Sequence, residues 1–136
     1  MIRFELPRNI INHILAHAQS MPENEICGLI SQKDQQFKAY KIDNVATDTQ
    51  HLYAMDPKQQ IDAMREIRQN GETLIAIYHS HPDSPAKPSL TDLQQAQYPD
   101  VIYLITSLNT KGVLEMQGFK LNNGQFENVE TVMQGL

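Results

Sequence analysis

Thr73-Leu74-Ile75-Ala76-Ile77-Tyr78-His79-Ser80-His81-Pro82-Asp83-Ser84-Pro85-Ala86-Lys87-Pro88-Ser89-Leu90-Thr91-Asp92 holds a strand signal, a loop signal and a helix-start signal in direct succession. Thr73 to Tyr78 is apolar and β-branched, the pattern of a buried central strand, and it delivers His79 at its end. Pro82 to Pro88 contains three prolines, so the chain must run there as a loop. A short helix is expected to start after Ser89 and to finish before Pro99.

Working outward, Val101–Ser107 reads as another apolar strand. Val113–Leu121 and Phe126–Val132 read as a closing antiparallel pair around the turn signal Asn122-Asn123-Gly124. Upstream, a helix is expected from Pro7 to Gln19, with Ile10, Ile11, Ile14, Leu15 and Ala18 on one face and Pro7 in its first turn. Ile26-Cys27-Gly28-Leu29-Ile30 should be a buried strand, and Phe37–Ile42 alternates like a half-exposed one. A second helix should span Pro57–Gln69, capped by Asp56, with Gly71 just past its end. It would turn Ile61, Met64, Ile67 and the stem of Arg68 inward. Strands and helices are mixed, so the class is α/β or α+β. There is no internal repeat or linker-like stretch, and one domain over 1–136 is expected.

The composition of the 136 residues, 40% apolar and 20% charged, is that of a globular chain that can bury a core. A net charge of -5 and the absence of a Lys/Arg cluster argue against a non-specific nucleic-acid binder, which needs a basic stripe. The N-terminus lacks the basic and continuously apolar regions of a secretory signal. No apolar run approaches the roughly 20 residues needed to cross a bilayer. The single cysteine, Cys27, has no partner for an intramolecular disulfide. No membrane association is expected, and the cytoplasm is the expected address.

Two histidines one residue apart on an extended chain project to the same side, because side chains alternate with period two. His79 and His81 can therefore converge on one ion. A catalytic zinc wants three protein ligands and one open position, and Asp92, in the first turn of the following helix, is the natural third. That helix N-terminus also favours a negative charge. Each piece has a plainer explanation. An isolated H-x-H is usually a surface or hydrogen-bonded pair, and Ser89-Leu90-Thr91-Asp92 is also a capping box. Two histidines and one carboxylate would suit non-haem iron as well.

H-x-H-P followed by S-x-x-D, with seven residues between the second His and the Ser, resembles the JAMM (MPN-plus) metallopeptidase family. The resemblance extends upstream to Glu25-Ile26-Cys27-Gly28, an E-x-C-G leading into a strand, and to Met55-Asp56-Pro57 and Ala96…Pro99…Tyr103-Leu104-Ile105. It implies a single MPN/JAMM domain with a mixed, curved β-sheet flanked by helices, a cytidine-deaminase-like architecture. It further implies that His79, His81 and Asp92 bind Zn2+, that Glu25 is the general base acting on water, and that Ser89 stabilises the oxyanion. The peptidase chemistry of the family is what favours zinc over iron. A family member lacking a ligand or the glutamate would be a non-catalytic scaffold, but all five positions are present here.

The path from Asp92 through a short helix to Val101 leaves no room for the insertions with which larger members grip ubiquitin chains. The sequence is similar to the compact bacterial type, such as the CysO-cysteine peptidases. The implied partner is a ubiquitin-like sulfur-carrier protein, cut after its C-terminal Gly-Gly to release cysteine or tail residues. Another isopeptide-type substrate is the alternative, and compact domains of this family often form homodimers. Cys27 reads as a small buried apolar residue rather than a nucleophile. His13 and His17, four apart with no glutamate between them, read as a solvent-exposed pair. His51 lies in a connecting segment without an assigned role. Glu23 competes with Glu25 but lacks the E-x-C-G context, and Ser80 should face away from both histidines.

Overall fold

The computed structural model describes residues 2–109 and 115–134. Capping chemistry sets its helices. Helix α1 (Arg8–Ser20) begins directly behind Pro7. Helix α2 (Pro57–Gln69) is capped by the Asp56 side chain, which accepts from the Gln59 N–H, and Gly71 follows its end at a positive φ of 72° that suits a residue without Cβ. Helix α3 (Leu90–Gln95) carries a complete capping box between Ser89 and Asp92.

Seven strands form one mixed sheet: β1 (Arg3–Pro7), β2 (Cys27–Lys33), β3 (Gln36–Ile42), β4 (Thr73–His81), β5 (Ile102–Ser107), β6 (Glu115–Asn122) and β7 (Gln125–Gln134). Their spatial order is β1-β7-β6-β5-β4-β2-β3. The pairs β4–β5 and β1–β7 are parallel, and the other pairs are antiparallel. Asn123 and Gly124, both at positive φ, make the tight turn between β6 and β7. The start predicted at Val113 lies outside the described residues. No described helix is long and apolar enough to cross a membrane.

Helices cover both faces. On one, α1 packs Ile10, Ile14 and Ala18 onto Leu6, Ile30, Tyr78 and Leu104. On the other, Ala63 and Ile67 of α2 pack onto Cys27, Leu29, Ile77 and Tyr103. The register between β2 and β4 shifts at one point: Ile30 pairs with Ala76, but Ser31 pairs with Leu74. The extra residue, Ile75, is a β-bulge, and it reverses which face the following residues of β4 occupy. After it, Ala76 and Tyr78 face α1 while Ile77 faces α2.

One strand was not anticipated, and the readings of four residues change. Strand β1 is an edge strand held by parallel pairing to β7, and five residues ending in proline give too weak a local pattern to announce it. Ile61 is 57% exposed, because the buried stripe of α2 runs through Ala63 and Ile67 and Ile61 lies on the flank away from it; Arg68 is exposed too. His17 is buried, and its Nδ1 lies 2.8 Å from the Tyr78 hydroxyl. It follows Ile14 by three residues and so shares the buried face of α1. His13 is half-buried with an enclosed Nε2.

Gly28 pairs with Tyr78 across β2 and β4, and a Cβ on Gly28 would collide with the Tyr78 ring. Substituting Gly28→Ala is therefore expected to destabilise the fold by about 1–3 kcal/mol, read as a lower urea midpoint at unchanged m-value.

Candidate metal centre

Downstream of the bulge the alternation of β4 turns His79 and His81 to one side. His79 sits between Cys27 of β2 and Ile105 of β5, and His81 lies beside Ser107. Both imidazoles are buried. Beyond the proline loop the chain returns in the capping box of α3. There Asp92 Oδ2 accepts from the Ser89 N–H (2.9 Å) while Ser89 Oγ accepts from the Asp92 N–H (3.0 Å). The same Oδ2 lies 3.2 Å from His79 Nε2 and 3.3 Å from His81 Nε2, and the two Nε2 atoms are 3.2 Å apart. Capping and convergence on the histidines are thus performed by one oxygen.

These three separations test whether a metal fits. Ligand atoms about 2.0–2.1 Å from a tetrahedral ion are about 3.3–3.4 Å from one another, the size of the observed triangle. His81 Nδ1 faces the Pro85 carbonyl at 2.8 Å. A carbonyl only accepts, so Nδ1 carries the proton and Nε2 of the neutral ring presents its lone pair to the triangle. Ligand atoms of Glu25, His79, His81 and Asp92 all lie within 4.8 Å of one another, and no other such group of three or more occurs among the described residues. The donor set fits a divalent cation.

Electrostatics supports the same fit. Burial pushes the Glu25 carboxyl up to about 8; the Asp92 charge adds to this and His81 opposes it. Glu25 is only 4% exposed, and its Oε1 is enclosed without a hydrogen-bond partner. Burial also works against the charge on Asp92, but the close contacts with His79 and His81 outweigh it and hold that carboxyl well below the usual range. His79 is held below its ordinary value by burial. Burial acts the same way on His81, but the Asp92 and Pro85 contacts prevail and raise it. A cation held among these four groups would favour the ionised form of Glu25 against the effect of burial.

The remaining candidates fall elsewhere. Ser89 is exposed at the rim, where its hydroxyl oxygen caps α3. Glu23 is exposed, in contrast to Glu25. The Cys27 thiol is fully buried, donates to the Ile42 carbonyl and is pushed by burial up to about 12, which suits packing rather than nucleophilic attack. His51 is exposed beside Asp48, which raises it.

Three contributors had no role in the sequence reading. Ser80 does face away from the histidines, and there its Oγ accepts from the Ile26 N–H (2.9 Å) and reaches the Asn24 carbonyl (3.4 Å), gripping both neighbours of Glu25. The Tyr53 ring stacks on His79 at 4.4 Å. Asn44 donates to the Glu25 carbonyl. The alternation of β4 could have marked Ser80 as buried, but nothing local marks Asn44 or Tyr53.

Residues 7–119 match the family model described as prokaryotic homologs of the JAB domain. A desampylase of Haloferax volcanii is 32% identical over 102 residues, 73% of each chain. A probable TtuB-protein conjugate cleaving protease of Thermus thermophilus is 31% identical over 122 residues, 88% of this chain and 77% of the relative. The CysO-cysteine peptidase of Mycobacterium tuberculosis is 27% identical over 119 residues, 85% of this chain and 81% of the relative. Among solved structures, a Desulfitobacterium hafniense protein superposes with a TM-score of 0.82 at 30% identity, covering 100% of this chain and 94% of the other.

The raised carboxyl of Glu25 makes a signed prediction for metal-free protein. The folded state holds this proton between 4.5 and about 8 while the unfolded state has released it. The stability tied to Glu25 is therefore full below that interval and lost as pH rises through it. Glu25→Gln should gain on wild type across this range, by at most about 1.4 kcal/mol per pH unit, in urea titrations after chelation. A gap that does not change with pH would contradict this.

Proposed function

Because the chain belongs to the prokaryotic JAB-domain family and is accordingly a JAMM-type peptidase, we propose that it hydrolyses the amide bond after the C-terminal Gly-Gly of a ubiquitin-like sulfur-carrier protein, with Zn2+ as its metal. The observation that carries the chemistry is the triangle of His79 Nε2, His81 Nε2 and Asp92 Oδ2, with Glu25 enclosed beside it. The substrate class rests on the relatives, whose names specify a desampylase, a TtuB-conjugate protease and a CysO-cysteine peptidase.

When bound, zinc supplies Lewis-acid polarisation of the scissile carbonyl and lowers the pKa of water to about 7. The chain's own residues do the rest. His79, His81 and Asp92 would hold the ion, and the Pro85 carbonyl fixes the protonated nitrogen of His81 so that its other nitrogen faces inward. Glu25, in its ionised form, would take a proton from the attacking water and pass it to the departing amine. Its enclosure favours this shuttle, since a carboxyl already raised by burial is closer in affinity to the groups it exchanges protons with. Ser89 Oγ accepts from the Asp92 N–H, and its own hydroxyl proton can point to the carbonyl oxygen as negative charge develops there. No covalent enzyme adduct is required.

Purified protein should carry about one zinc per chain, which a chelator removes together with activity. His79→Ala should lose the metal. Glu25→Gln should keep metal and fold while hydrolysis of a carrier–cysteine fusion falls at least about 10²-fold. Mass spectrometry should place the cut after Gly-Gly. Equal turnover of a carrier whose Gly-Gly is replaced by bulkier residues would overturn the substrate assignment, and an Glu25→Gln enzyme of wild-type rate would overturn the role of Glu25.

A further inference from the structure

Glu25 precedes β2, so no sheet ladder holds its backbone. The loop between β3 and α2 holds it instead. The Glu25 N–H donates to the Thr49 carbonyl (2.7 Å), and the Glu25 carbonyl accepts from Asn44 Nδ2 (2.8 Å). Asn44 stands at the neck of that loop, in an antiparallel bridge with Met55.

The Asn44 amide is used completely. Nδ2 also donates to the Leu52 carbonyl (2.9 Å), and Oδ1 accepts from the N–H groups of Ala46 and Ala54 (3.0 Å each). A carboxamide has two donor protons and one oxygen with two lone pairs, so four bonds saturate it. No other side chain of this length can make the set. Aspartate has no donor, serine has one, and glutamine carries its amide one methylene further out. Leu52 and Ala54 flank Tyr53, whose ring lies on His79. One side chain therefore ties the backbone of Glu25 to the segment that packs against His79.

We propose that Asn44 is a positioning residue for hydrolysis: it clamps the Glu25 carbonyl to the neck of the 44–55 loop, which sets the Glu25 carboxylate opposite His79 and His81 and keeps Tyr53 seated on His79. Asn44 touches neither substrate nor metal and acts through Glu25. The kinetic part of the proposal rests on the reading of Glu25 as the base.

Asn44→Asp separates the two halves of the clamp. It preserves the acceptor for Ala46 and Ala54 but sets a carboxylate oxygen against the carbonyls of Glu25 and Leu52. Asn44→Ala removes everything, and Asn44→Ser, which keeps one donor, is the milder variant if the other two do not fold. Each folded variant is compared with wild type for zinc content, for kcat and KM on a carrier–cysteine fusion, and for amide hydrogen exchange at Glu25, Ala46 and Ala54. Zinc content should be unchanged. We expect kcat to fall about ten- to a hundredfold, with KM within about twofold. Asn44→Asp should speed exchange at Glu25 while sparing Ala46 and Ala54. Wild-type kcat in Asn44→Asp, or a kcat loss that merely follows lost zinc, overturns the proposal. If wild type itself cleaves no carrier fusion, the functional reading has failed, and exchange alone decides the clamp. Faster exchange at Glu25 in the variants then upholds it, and unchanged exchange overturns it.

Discussion

Where β2 meets the end of β4, Ile26 and Ser80 are bonded twice. The Ser80 N–H donates to the Ile26 carbonyl, and the Ile26 N–H donates to Ser80 Oγ. This contact joins positions 54 residues apart in sequence, and the geometry of the centre depends on it. Strand alternation turns His79 and His81 to one face and Ser80 to the other. The residue between the two histidines is thereby free to grip the segment that carries Glu25. The same strand end aims two imidazoles and anchors the carboxylate placed beside them.

The cluster is assembled against its own electrostatics. Desolvation raises Glu25 and depresses His79, so the polypeptide alone favours neutral forms of both. Asp92 stays ionised because both imidazoles lie against it and the Ser89 N–H donates to it. Such an arrangement is held by its surroundings rather than by itself. Layers of apolar side chains on both faces of the sheet, the proline loop and the capping box of α3 fix these side chains in place. Bulge geometry contributes as well, since Ile75 decides which face of the sheet receives the histidines.

Much of this was legible in the sequence wherever the signal was short-ranged. Asp56-Pro57 and Gly71 bounded α2, Asn123-Gly124 marked the hairpin, and the three prolines marked the loop that returns the chain to Asp92. What stayed hidden involved distant partners. β1 exists because β7, at the other end of the chain, offers it an edge. His17 is buried because Tyr78 passes over Gly28 to meet it. Ile61 looked like a core residue and is exposed, because a helix shows which residues share a stripe but not how wide a stripe its docking covers.

By itself the sequence determined the donor types and their local disposition: an H-x-H on a strand, a carboxylate at the third position of a capped helix, and a glutamate leading into a strand. These follow from the period of two along β4 and from bonds that span three residues at a helix start, so no distant contact is needed to read them. Only the tertiary structure decided that Asp92 caps and converges with one oxygen, that Glu25 is enclosed while Glu23 is exposed, that Asn44 and Ser80 bond to the backbone at and beside Glu25, and that Tyr53 stacks on His79. Those outcomes depend on which strands pair and in what register, an energy shared among residues far apart in the chain and carried by no short stretch of it.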